Sequence, residues 1–242
     1  MIFDRFFGNT LYYSGCLTKV VAKEIGENYE EILRKVGVDF IKLSKTEVCC
    51  GSPALNGGYL ELAKNLAKRN LKIFKQHSVK KIITSCPACF KTFSKEYPEI
   101  LGEEWKIEVV FILQLLDELV RKGKIELKKI GKEKVTYHDP CHLGRYSKMY
   151  HEPRRLIERM GFKLVEMEFC KENSFCCGGG GGLRANFPEL ANAIAKDRLR
   201  QALKTDAKIL ITSCPLCYLH LKQNSSSIRV EEISNLLVKA IK

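Results

Sequence analysis

Ten of the eleven cysteines in this chain fall into one spacing pattern written twice. Cys16, the adjacent Cys49 and Cys50, and the CxxC of Cys86 and Cys89 form the first set; Cys141, Cys176, Cys177, Cys214 and Cys217 form the second. Subtracting residue numbers between the sets gives 125, 127, 127, 128 and 128, and Cys170 alone stands outside. Thiols in this number and spacing point to metal binding or redox chemistry. A CxxC at a helix start can turn both sulfurs toward one ion, and Pro87 or Pro215 suits the first turn because its missing N–H costs nothing there. A lone CxxC could also be a thioredoxin-like redox pair, but such a pair needs no distant partners at fixed spacing. Zinc and cubane iron–sulfur clusters ordinarily take four protein ligands, whereas each half offers five. Either one thiol per set is left over, or the inorganic unit is larger and less symmetric than a cubane. A vicinal pair suits two neighbouring metals, or one ligand beside one reactive thiol, better than a single small ion. A vicinal disulfide would be strained.

The words around the thiols repeat as well. Ile82-Ile83-Thr84-Ser85-Cys86-Pro87-Ala88-Cys89 returns as Leu210-Ile211-Thr212-Ser213-Cys214-Pro215-Leu216-Cys217, and both vicinal pairs run into glycine, Gly51 and Gly178. A repeat of about 125 residues is the size of one ordinary core, so it reads as a duplicated domain. Short β-rich runs alternate with longer helical patterns in both halves, which predicts an α/β fold of two tandem, pseudo-twofold-related lobes. Each lobe is expected to be a mostly parallel sheet flanked by helices. The strands expected are 10–14, 38–43, 81–84 and 107–112 in the first lobe, then 135–138, 163–167, 209–212 and 229–232. Helices are expected near 18–36, 58–77, 88–97 and 113–123, then 152–160, 188–204, 216–223 and 234–241. Domains of 1–125 and 131–242 follow, joined through the polar stretch Gly123 to Lys134 as packed lobes with little independent swinging. Every repeated thiol is expected just beyond a strand, where open α/β sheets hold their ligands.

Bulk properties narrow the classes. A chain of 242 residues with 45% apolar content can bury a core without covalent staples. Its start, Met1 to Phe7, shows no secretory signal, and no apolar run reaches the length of a membrane span. Thiol-rich chains of this kind are usually reduced cytosolic proteins, so a cytoplasmic location is expected, with any membrane association made through a partner. The formal charge of +13 counts every thiol as neutral. Bound cysteines are thiolates, so much of the basic excess compensates for them. With no stacking motif or nucleic-acid module beside the charge, nucleic acid is not expected as a partner.

The whole arrangement resembles the CCG-domain (cysteine-rich domain) family. That family includes catalytic subunits of heterodisulfide reductases and iron–sulfur subunits of glycolate, lactate and anaerobic glycerol-3-phosphate dehydrogenases. The resemblance covers nearly the whole chain and all ten repeated cysteines. It implies two [4Fe–4S] clusters, of noncubane type in the heterodisulfide reductase branch, each held by one five-cysteine set. It further implies a disulfide placed between the clusters and cleaved by two one-electron transfers. Relatives often carry an N-terminal ferredoxin-like CxxCxxCxxxCP run that is not found here, so electrons are expected from a ferredoxin-like or flavoprotein subunit, or the chain is a fragment.

The function expected is an iron–sulfur oxidoreductase subunit that reduces a small disulfide or oxidises thiols. The alternative is an electron-transfer subunit of a flavin-dependent 2-hydroxy acid or glycerol-3-phosphate dehydrogenase. A zinc-stabilised module fits the thiols but leaves one per half unemployed, so zinc could occupy one half. Gly51, Gly178, Gly179 and Gly180 are expected to let a bulky cofactor approach the backbone, since the run lacks the GxxxxGK[ST] of a phosphate loop. The glycine-rich second site is the expected substrate-facing one. His138 and His142 flank Cys141 and could supply a proton to a departing thiolate, or simply orient the loop. Arg145 and Arg184 could bind a substrate carboxylate or phosphate, or pair with Asp or Glu on the surface. Cys170 reads as a buried small residue or a spare redox thiol.

Overall fold

A computed structural model describes residues 8–43 and 46–242. The N-terminal stretch read for a secretory signal lies outside these residues. The first half builds a three-stranded parallel sheet from β1 (Asn9–Tyr13), β2 (Val79–Thr84) and β3 (Glu108–Phe111), in that order. The second builds a four-stranded parallel sheet from β4 (Lys134–His138), β5 (Lys163–Leu164), β6 (Ile209–Thr212) and β7 (Arg229–Glu232), in the order β5-β4-β6-β7. A parallel bridge from Leu11 to Ile41 stands where the first half would have its counterpart of β5. The two lobes therefore share one strand order, the second strand lying outside the first and the third crossing to its other side.

Two expected strands contract. Residues 38–43 supply only the bridge at Ile41, and 163–167 shortens to Lys163–Leu164. Both lie at a sheet edge, where one neighbour alone supports pairing and β-propensity loses to loop geometry. The expected helix at 18–36 divides into α1 (Cys16–Val20) and α2 (Lys23–Lys35). A short α3 (Ser52–Asn56) precedes α4 (Leu60–Gln76). The segment after Cys86 runs as α5 (Pro87–Lys91), a π-helical turn at Thr92–Glu96 and α6 (Tyr97–Leu101). Then come α7 (Ile112–Arg121), α8 (His151–Arg159), a short α9 (Leu183–Asn186), α10 (Pro188–Leu203), α11 (Pro215–Asn224) and α12 (Ser234–Ala240).

Strand alternation sorts the first sheet into two faces. Leu11, Tyr13 and Ile82 face a local core with Phe74 of α4 and Phe93, while Tyr12 and Ile83 face a larger core shared with Tyr137, Leu210 and Leu237 of the second half. The lobes are thus fused through one apolar interior. At that junction Tyr29 of α2 donates its hydroxyl to Glu232 Oε1 at 2.9 Å, and Asn28 Nδ2 donates to Asn235 Oδ1 at 2.8 Å. The linker joins the second lobe: Leu127 pairs antiparallel with Ile241, and Ile130 N donates to Met160 O. Among the described residues, no helix is long and apolar enough to cross a membrane.

Glu232 is fully buried, and burial pushes its carboxyl up from 4.5 to about 7. Between those values the folded chain keeps a proton that the unfolded chain has released, so stability falls as pH rises from about 4.5 to about 7. Glu232→Gln keeps an acceptor for Tyr29 and removes the ionisation. It is expected to stabilise the chain at pH 8 by about 3 kcal/mol relative to its effect at pH 4.5. Denaturation of both proteins at the two pH values checks this; an equal difference at both would show that Glu232 does not titrate across that range.

Candidate metal centres

In each lobe the chain leaves its first strand toward one sheet edge and returns to the other side. Crevices at such switch points, beyond the carboxyl ends of the strands, are where open parallel sheets hold ligands. Cys16 follows β1 and Cys86 follows β2; Cys141 follows β4 and Cys214 follows β6. The turns are stapled alike, Tyr12 OH sharing a hydrogen bond with Ser85 Oγ and Tyr137 OH with Ser213 Oγ. Cys86 and Cys214 are extended N-caps of α5 and α11, with Pro87 and Pro215 in the first turn, so Cys89 and Cys217 come round beside them.

The vicinal pairs depart from the expected rule. Cys49–Cys50 and Cys176–Cys177 lie in irregular chain well past the Ile41 bridge and β5, not at strand ends. Helices bring them back. In the first lobe, Asn70 of α4 donates to Cys49 O at 3.0 Å and Tyr97 donates to Cys50 O at 3.1 Å. In the second, Gly178 lies against α10, with φ +82° and so little room that a Cβ would meet Ala191 O at 2.5 Å. Its bareness allows this packing on the helix. Gly180 does face open space. Gly15, not singled out from the sequence, also matters: a Cβ there would sit 3.3 Å from Cys89 Sγ. A glycine directly before Cys16 is the sequence signal that could have found it, and the structure holds it at a positive φ.

The thiols of each quintet are gathered closely enough to perturb one another's ionisation, and all ten are free. In the first, Cys49 neighbours Cys16 and Cys50, while Cys89 neighbours Cys50 and Cys86. In the second, Cys176 neighbours Cys141 and Cys177, while Cys217 neighbours Cys177 and Cys214. Thiol donors pull Cys49 down to about 2 and hold Cys176 far below its ordinary value, with Gly51 N and Gly178 N adding backbone donors at 3.4 and 3.3 Å. Cys16, Cys50 and their counterparts Cys141 and Cys177 are pushed up by the neighbouring Cys49 or Cys176 and by burial. The shifts favour ionisation at the first cysteine of each pair, and the thiolate is the form in which sulfur ligates metal. Cys16 and Cys176 are exposed, and an open cleft of about 610 Å³, lined by Phe175, Cys176, Ile194 and Asp197, reaches the second set.

The remaining sequence candidates separate. His138 is 1% exposed, and a ring nitrogen lies within 4.8 Å of the Cys177 and Cys217 sulfurs. Burial, then the neighbouring Arg198, pushes its pKa down to about 3, so the ring is neutral. His142 Nδ1 lies 3.5 Å from Cys141 Sγ, with its pKa lowered chiefly by burial. Arg145 bonds to Ser174 O and Arg184 to Gln223 Oε1 at 2.7 Å; neither pairs with Asp or Glu among the described residues. Cys170 is only half-buried. Sequence reasoning missed Arg154, 6% exposed, which forks onto Asp139 at 2.7 and 2.9 Å and also grips Glu166. Asp139 further accepts from Lys171 N, so this ion pair ties the turn before Cys141 to the segment leading to Cys176.

Comparison with known proteins agrees with this duplicated geometry. The dihydromethanophenazine:CoB–CoM heterodisulfide reductase of Methanosarcina acetivorans has a subunit that is 36% identical over 235 residues, covering 95% of this chain and 58% of that protein. An EtfAB:quinone oxidoreductase of Syntrophomonas wolfei is 35% identical over 92% of this chain and 32% of its own length. The probable iron-sulfur-binding oxidoreductase FadF of Bacillus subtilis is 32% identical over 91% of this chain and 32% of its own. The chain thus spans under two thirds of the curated relatives it matches. Among solved structures, a Francisella tularensis glutamate racemase overlays with a TM-score of 0.43 at 15% identity, covering 96% of this chain and 78% of its own, too loosely to carry an argument. The cysteine-rich domain model matches twice, over residues 10–94 and 135–222, and the chain belongs to the CCG cysteine-rich domain family.

Proposed function

We propose that this chain is the cluster-bearing part of an iron–sulfur oxidoreductase that reduces a small disulfide, or runs the reverse thiol oxidation, with electrons exchanged through a partner subunit. The observation that carries the reading is the gathering of each five-cysteine set into one group of neighbouring thiols. The donor set suits a thiolate-held cluster: five soft ligands, backbone N–H groups aimed at sulfur, and a buried imidazole nitrogen left unpaired beside Cys177 and Cys217. Cys16, Cys49, Cys50, Cys86 and Cys89 would hold one [4Fe–4S] cluster and the second quintet another. Five ligands around each favour a noncubane form. Such clusters supply single electrons, and two electrons with two protons turn one disulfide into two thiols.

The chain's own residues supply the rest. Exposed Cys176 and its cleft leave the second set open to a substrate, while Gly179, whose N–H donates to Cys177 Sγ at 3.4 Å, steadies the vicinal pair. His142, beside Cys141 at the surface of the loop, is placed to pass a proton toward that opening. Likeness to an EtfAB:quinone oxidoreductase supports a second reading, in which the clusters only relay electrons from a flavoprotein.

Anaerobically reconstituted protein should be brown and contain about eight irons per chain. After chemical reduction it should consume small disulfides with two electrons per bond. Full iron loading without disulfide turnover, together with tight flavoprotein binding, would favour the relay; colourless protein holding only zinc would end both readings.

A further inference from the structure

The repeat that duplicates the sulfurs does not duplicate what surrounds them. Matching β1 to β4 and α4 to α10 puts Tyr13 opposite His138 and Asn70 opposite Arg198. In the first lobe these side chains serve the backbone: Tyr13 OH donates to Val48 O at 2.7 Å, and Asn70 Nδ2 donates to Cys49 O and Tyr97 OH. In the second, Arg198 is fully buried and donates from Nε to His138 Nδ1 at 3.1 Å. Its other bonded partners, Phe169 O and Gln201 Oε1, are neutral.

Guanidinium nitrogens only donate, so His138 Nδ1 must be the acceptor and can carry no proton. A neutral imidazole then carries its one proton on Nε2. That atom is buried with no hydrogen-bond partner among the described residues, on a ring within reach of the Cys177 and Cys217 sulfurs. An orphaned buried N–H is costly unless something accepts it. Electron-rich sulfur of a bound cluster is the acceptor at hand.

We propose that Arg198 fixes His138 as an Nε2–H donor to the second set of sulfurs, so that this centre holds an electron in preference to the first. Hydrogen bonds to sulfur and a nearby buried cation both favour the more negative, reduced state and raise the reduction potential. An electron moving from the first centre to the second oxidises the one and reduces the other, with no bond broken and no proton leaving His138. His138 and Arg198 act as positioning residues. The second lobe becomes the electron sink beside the open cleft at Cys176, and the first becomes the entry side.

This inference rests on the presence of clusters, and two measurements separate its failure from that of the broader reading. Nitrogen-15 NMR of the full reduced chain before iron is added should show His138 in the Nε2–H form, and Arg198→Met should abolish that preference. A Nδ1–H or doubly protonated ring in the unaltered chain overturns the proposal whatever the metal content. In the iron-loaded chain, redox titration followed by electron paramagnetic resonance should resolve two potentials, the Cys49→Ser/Cys50→Ser variant identifying the second centre as the higher. His138→Phe and Arg198→Met should shift the electron's distribution between the centres by about tenfold, about 59 mV for one electron. His138→Gln, which keeps an N–H, should retain most of the preference. Unchanged potentials, or equal shifts of both centres, overturn the proposal; failure to load iron at all overturns the reading beneath it.

Discussion

Replacing Cys176 and Cys177 together by serine is expected to halve the iron bound, from about eight to about four per chain, and to leave the first centre's spectrum intact. Only three thiols of the second quintet remain in that variant, short of the four sulfurs that an iron–sulfur cluster ordinarily takes. Serine is nearly isosteric with cysteine, and the loop's ties through Ser174 and Arg145 and the packing of Gly178 on α10 do not depend on sulfur. Cys49→Ser with Cys50→Ser is expected to do the same to the first centre. Iron analysis and electron paramagnetic resonance on anaerobic material check both. Iron content unchanged in either variant would mean that the gathered thiols are not the ligand set.

The second large effect is expected at Arg154. Removing one partner of a buried ion pair leaves an uncompensated charge and costs about 3–5 kcal/mol. Arg154→Met would strand Asp139, which is 2% exposed, beneath α8. At roughly 2–4 °C per kcal/mol for a chain of this size, the melting temperature should fall by about ten degrees. Glu166→Gln should cost much less, because the Glu166 side chain is 35% exposed and water screens it. Since the same pair braces the turn before Cys141, the second centre should also lose metal to a chelator sooner than the first. A loss under about 1 kcal/mol, below the range for breaking a buried pair, or equal chelator sensitivity of both centres, would show that Arg154 does not brace this turn.

Both expectations treat the lobes as chemically distinct within one fused body. The first quintet is braced by neutral groups, Asn70, Tyr97 and the aromatic cluster of Phe93 and Trp105. The second is braced by charge, Arg154 on Asp139 and Arg198 on His138. Duplication supplied two equal sets of ligands, and divergence of the surrounding side chains made their environments unequal.

Much of this was legible in the residues. Ile82 to Thr84 and Ile209 to Thr212 are apolar, β-branched runs that stop at Ser–Cys–Pro, and the central strands β2 and β6 lie where that punctuation puts them. The long amphipathic helices α4 and α10 repeat alanine at one face, and local periodicity alone reveals them. Residues 38–43 and 163–167, at one edge of each sheet, were over-read, whereas β3 and β7 at the opposite edges formed where expected; pairing on one side cannot be judged from propensity. The contacts of the vicinal pairs were beyond local reading too, since they depend on how α4 and α10 pack over an irregular loop.

By itself the sequence determined the ligand inventory, the doubling and the strand-to-helix turns that hold Cys86, Cys89, Cys214 and Cys217, because these follow from spacing, proline placement and local periodicity. Only the tertiary structure decided that Tyr12, Tyr29 and Leu237 share one core, that Arg154 meets Asp139, and that Arg198 takes Nδ1 of His138. Those pairings join residues far apart in the chain, and their energies depend on burial, which composition along a strand or helix does not encode.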